Sequence, residues 1–137
     1  MNPARSSQVR TIDKTQYPVY LKKGKEFYQT MFQAEKAENW NAVGLNGVHC
    51  VISLIDALLV KYSGIRSVGA SHMAAVELMN SLEVSTLKEL GQKVQLAKRV
   101  IAKKNLVEYE DRDFSKGEAL ALLSRVQRFH DWAVAQF

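Results

Sequence analysis

Apolar residues return every three or four positions along most of the chain, the period of helices buried on one side. In the first such stretch, about residues 19 to 39, Tyr20, Phe27, Met31 and Ala34 form one stripe, widened by Tyr28 and Phe32. Lys22, Lys23, Lys25, Glu26, Glu35 and Lys36 fall outside it and are expected in solvent. The second stretch, 40 to 63, is the most apolar. Its stripe is Leu45, Val48, Ile52, Ile55 and Leu59, broadened by Val51, Leu54, Leu58 and Tyr62. Such breadth predicts a central helix with neighbours on several sides. Gly44 and Gly47 weaken its early turns but permit another helix to come close. Gly64 is placed to end it in the left-handed conformation.

A loop over 64–70 leads to Ser71, a helix N-cap residue, and to a short third helix, about 72 to 82, with Ala75, Val76 and Met79 inward. The fourth helix is expected from Ser85 or Thr86, where Thr86 and Glu89 have capping-box spacing. It continues through Leu90, Val94, Ala97 and Ile101 towards Val107. Ser115 and Glu118 repeat that spacing ahead of the final helix. Ala119, Leu122, Leu123, Val126, Phe129, Ala133 and Phe137 line its apolar side. Strand-like alternation of useful length and internal repeats are both absent. The fold class is therefore all-α, an up-and-down helical bundle of four long helices plus one short helix. Residues 18–137 form the bundle domain. Residues 1–17 are a flexible, mildly basic arm with Arg5, Arg10 and Lys14, on which Val9, Ile12 and Tyr17 are available to pack.

A chain of 137 residues suits one domain. The net charge of +5 is compatible with a nucleic-acid partner without requiring one. Much of the excess, Lys88, Lys93, Lys98, Arg99, Lys103 and Lys104, lies in the predicted fourth helix. Cys50, the single cysteine, sits among Val48, Val51 and Ile52 and reads as a buried thiol. There is no zinc-type ligand cluster, so neither metal nor cofactor is expected. No stretch approaches a membrane-spanning length, and the polar N-terminus lacks a signal core. A cytoplasmic setting without membrane contact is the expectation.

Three groups of residues bear on chemistry. Asn46, His49, Ser53 and Asp56 follow one side of the second helix and read as a structural polar seam, with His49 placed to bond Ser53. Arg66 and His72 bracket the loop before the short helix, where an arginine can hold a phosphate while a histidine moves a proton. Arg125 and His130 are five apart on the last helix, a spacing that turns them away from each other. His130 reads as a core-edge residue. Phosphate-cradling glycine motifs, the zinc-protease helix and the serine nucleophile elbow are missing.

The segment "IDALLVKYSGIRSVGASHMAAVELM", with "AKKNLVEYEDRD" before the last helix, resembles the HEPN-domain family of small helical bundle proteins. The resemblance runs from Tyr20 to Phe137. It implies four or five helices, frequent homodimers and one of several roles. These include metal-independent ribonuclease, partner of a nucleotidyltransferase in a toxin–antitoxin pair, and nucleotide- or RNA-binding module. Ribonuclease members carry an arginine, often a polar residue after it, and a histidine four to six positions beyond. Lys104, Asn105 and Tyr109 match those places here. Lysine lacks the planar fork, and tyrosine, with an ordinary pKa near 10, moves protons poorly at neutral pH. The resemblance thus implies a non-enzymatic interaction module, homodimeric, toxin–antitoxin or nucleotide-related. The alternatives are a ribonuclease built on Arg66 and His72 or on Arg125 and His130, and a nucleotide- or RNA-binding domain with Lys103, Lys104 and Arg112 as phosphate ligands near Tyr109.

Overall fold

The computed structural model describes residues 9–68, 72–84 and 87–137. Six α-helices and one small sheet are present among them: β1 (Val9–Thr11), α1 (Tyr17–Lys36), α2 (Trp40–Ser63), β2 (Ile65–Ser67), α3 (His72–Leu78), α4 (Leu87–Ile101), α5 (Lys104–Tyr109) and α6 (Lys116–Val134). Short 3-10 turns cover Lys14–Gln16 and Met79–Ser81. The fold is all-α in class. The expected N-cap at Ser71 and the Thr86–Glu89 capping box involve residues outside those described.

α2 is the hub. Every side chain from Ser53 to Val60 is buried, and α1, α3, α4, α5 and α6 all pack against it. It is also long and apolar enough to cross a membrane, contrary to expectation. Most of that stretch, 83% of the apolar window, is buried within the fold, so central packing accounts for its composition. Gly24 of α1 meets Leu54, and Gly47 meets Met31, so α1 and α2 run antiparallel. Gly47 also meets Leu122 and Val126 of α6, and Gly44 meets Val107 of α5 and Phe114. These contacts name the neighbours that the two glycines of α2 admit. Leu45 departs from its predicted stripe and is 39% exposed. It lies one turn before half-exposed His49.

The predicted fourth helix is broken in two. Ala102 N–H still reaches Lys98 O, but Lys103 N–H bonds Val100 O, only three residues back. A straight helix would have carried Lys104, Asn105 and Glu108 onto the stripe of Ala97 and Ile101. The tightened turn rotates the chain, and Leu106 and Val107 pack on the core instead.

The segment read as a flexible arm carries regular structure from Val9 onward. β1 pairs antiparallel with β2, Val9 opposite Ser67, Arg10 opposite Arg66 and Thr11 opposite Ile65. Ile12 N–H adds a bond to Gly64 O at 2.8 Å. Gly64 ends α2 at φ 63°, and a side chain there would stand 3.2 Å from the Ile12 carbonyl oxygen. At the other end of the chain, the Ser115–Glu118 capping box is complete in both directions. Lys61 Nζ lies 5.3 Å from the rings of Tyr17 and Tyr62 and 5.2 Å from that of Phe137. Tyr62 O–H and Lys61 both donate to Gln136 O.

Candidate functional site

Around α2 from His49 to Asp56, residues from five elements come together. His49 lies one turn beyond Leu45, and its Nε2 is 3.2 Å from Glu108 Oε1 on α5. A carboxylate only accepts, so the imidazole carries its proton on Nε2. Lys104 Nζ donates to the other oxygen of Glu108 at 2.9 Å, four residues away on the same short helix. One carboxylate thus ties α5 to α2. The hydrogen bond from Lys104 is the main reason that the Glu108 carboxyl sits below its ordinary value, and the same bond holds the Lys104 ammonium above its own.

Two turns along α2, Asp56 is 7% exposed. Arg66 of β2 brings Nε to 3.4 Å from Asp56 Oδ2, shielded from water yet off hydrogen-bond geometry. Burial pushes the Asp56 carboxyl up to about 6, against the pull of Arg66 and Lys23. Arg66 lies over the Tyr20 ring, 5.1 Å from its centroid, with Lys23 Nζ at 5.9 Å from the same ring. Both distances fall in the cation–π range. Phe27 of α1 packs beside His49, ring centroids 5.6 Å apart. Tyr109 is 70% exposed, with Lys104 Nζ 5.5 Å from its ring.

His72 opens α3 within electrostatic range of this group. Burial pushes its pKa down; Lys104, His49 and Arg66 push it further the same way, and only Glu108 opposes them. The imidazole is therefore biased towards its neutral form.

The predicted sites fare unequally. Arg66 and His72 come into one neighbourhood, joined by His49, Lys104 and Glu108. The polar seam is not a self-contained network. His49 turns to Glu108 rather than to Ser53, Asn46 donates back to Ala42 O at 2.8 Å, and Asp56 faces Arg66. Each reaches a different element because α2 is surrounded. Of the pair Arg125 and His130, the histidine is engaged by Tyr28 and Asp131. His130 stacks flat on Tyr28 at 3.5 Å between centroids, and its Nδ1 lies 2.9 Å from Asp131 Oδ1. Arg112, expected as a phosphate ligand with Lys103 and Lys104, is engaged by an acidic partner. It is held by both oxygens of Glu118 at 2.8 Å, and the concavity it lines also carries Glu110, Asp111 and Asp113. That charge disfavours an anion. Asn105 is exposed on α5. Among the described residues, no group of three His, Cys, Asp or Glu side chains is placed to hold a metal ion.

Tyr20, Lys23, Phe27 and Glu108 escaped the sequence reading as members of this face. The four-residue spacing of Lys104 and Glu108 was a usable signal. The meeting of His49 with Glu108, 59 residues apart, had none. No protein-family model, curated protein or solved structure matches the chain.

Proposed function

We propose that this protein is a non-enzymatic binding module of HEPN type that takes the phosphates and bases of a nucleotide or single-stranded RNA on the face around His49 and Arg66. The observation that carries the reading is the interleaving of cations and an imidazole with aromatic rings. Arg66 and Lys23 lie over Tyr20, His49 lies beside Phe27, and Lys104 lies near exposed Tyr109. Phosphates are drawn to such cations, and bases stack on such rings without strong sequence preference. The absence of cleavage is inferred from Lys104 and Tyr109, which stand where the family's arginine and histidine are expected. Dimerisation, a nucleotidyltransferase partner and a toxin–antitoxin setting rest on the HEPN resemblance alone.

Metal-independent RNA cleavage is the second reading, favoured by one observation. A histidine biased towards neutrality, His72, lies near a second histidine and two cations, which is the equipment of general acid–base catalysis. Metal-free protein incubated with a labelled single-stranded oligouridylate separates the two. The module reading expects anisotropy to rise on binding, affinity to fall steeply with salt and to drop in Tyr109→Ala, and the RNA to stay intact. Cleavage that disappears in both Arg66→Ala and His72→Ala would establish the ribonuclease. The absence of salt-dependent binding would remove the nucleic-acid reading.

A further inference from the structure

The β1–β2 ribbon places two arginines side by side. Its register is fixed at one end by the Ile12–Gly64 bond and by the lack of a side chain at Gly64. In that register Arg10 stands directly opposite Arg66. Opposed residues of an antiparallel pair project from the same face, and like charges there repel. Asp56 offsets part of the Arg66 charge. Arg10 is exposed and has no carboxylate partner among the described residues. A three-residue strand thus sets a second, exposed guanidinium across the ladder from Arg66, at the margin of the cationic face.

We infer that Arg10 and Arg66, opposed across β1 and β2, clamp a single phosphate group of the ligand. The inference rests on the proposed function and gives it a contact point. The arginine fork suits phosphate better than lysine does.

Arg10→Gln is the test, because the position is exposed and its replacement leaves Asp56 with its partner. Two probes are used. The first is the labelled oligouridylate. The variant is expected to bind more weakly than the parent, with a salt slope smaller by about one. Arg10→Lys should recover part of the affinity. The second probe is inorganic phosphate, read by hydrogen exchange at the Ile12 amide. Without phosphate the variant's amide should exchange more slowly than the parent's, since the repulsion is gone. With phosphate the parent alone should gain protection. RNA binding by the parent with an unchanged affinity and salt slope in Arg10→Gln would overturn the clamp and leave the proposed function standing. Phosphate protection in the parent alone, without RNA binding, would support the clamp and overturn the nucleic-acid reading. A response to neither probe would overturn both.

Discussion

Gly24 of α1 lies directly under Leu54 of α2: a Cβ at position 24 would stand 2.7 Å from Leu54 Cδ2 and 2.9 Å from its Cγ. Gly47 repeats the arrangement where α2 meets α6, with Leu122 Cδ2 at 2.5 Å from the same construction. Alanine at either place gains about 1 kcal/mol of helix propensity but overpacks a close crossing, which costs about 1–3 kcal/mol. Gly91 of α4 has nothing within 4 Å. Gly24→Ala and Gly47→Ala should therefore lower the thermal midpoint, while Gly91→Ala raises it by the equivalent of about 0.5–1 kcal/mol. Shifts of the same sign at Gly47 and Gly91 would contradict the close crossing.

The Asp56 carboxyl, raised to about 6 by burial, binds its proton more tightly in the fold than in the unfolded chain. Its contribution to stability therefore falls as pH rises from about 4 to about 6. His72 works in the opposite sense, since its lowered pKa costs stability as acid protonates the unfolded chain. Comparing the parent with Asp56→Asn cancels the histidine. The parent's urea midpoint, taken relative to the variant's, should decline over that interval and level off above it. A difference that stays constant with pH would mean that Asp56 titrates normally.

Ser115 accepts from the Glu118 amide at 3.1 Å, and Glu118 reaches back to the Ser115 amide at 3.0 Å. Ser115→Ala should cost about 1 kcal/mol, the usual worth of a helix N-cap, read as a lower denaturation midpoint. Glu118 itself is pulled down to about 2, chiefly by the Arg112 hydrogen bonds. Its support for the fold is present above its ordinary pKa and is lost as pH falls towards about 2. Glu118→Gln should therefore shrink the parent's loss of stability in acid.

Cys50 is fully buried, and burial pushes its thiol up to about 12. Reactivity follows the thiolate and its exposure. Iodoacetamide at pH 8 should label the native protein only at the rate at which it unfolds and should label the urea-unfolded protein quickly. Fast native labelling would show that α2 opens around position 50.

The helical period exposed the core before any contact was known. Met31, Val48, Ile55, Val94, Leu122 and Phe129 are buried as their spacing requires. Local chemistry was equally readable at Gly64 and in the Ser115–Glu118 box, because each signal and its partner lie within a few residues. The site was only half legible. Arg66 and His72 stood out as residue types, yet nothing near them in sequence announces Glu108 or Tyr20. The break at Lys103 was invisible for a related reason. Lys104, Asn105 and Glu108 extend a helix comfortably by propensity, and only the need of Leu106 and Val107 for the core turns the chain. Leu45 shows the limit of a stripe: periodicity gives the direction of a side chain but not whether a neighbour waits there.

None of the side chains of α5, Lys104–Tyr109, is fully buried. Six residues are too few to hold a helix by themselves, so its persistence depends on Val107, Leu106 and the tie between Glu108 and His49. The wall that supplies Lys104 and Tyr109 is then the most shallowly anchored of the described helices, able to loosen while α2 stays intact. Whatever binds there would firm up that wall as it lands, so occupancy should be legible as stiffening of α5 far more than as movement of the core.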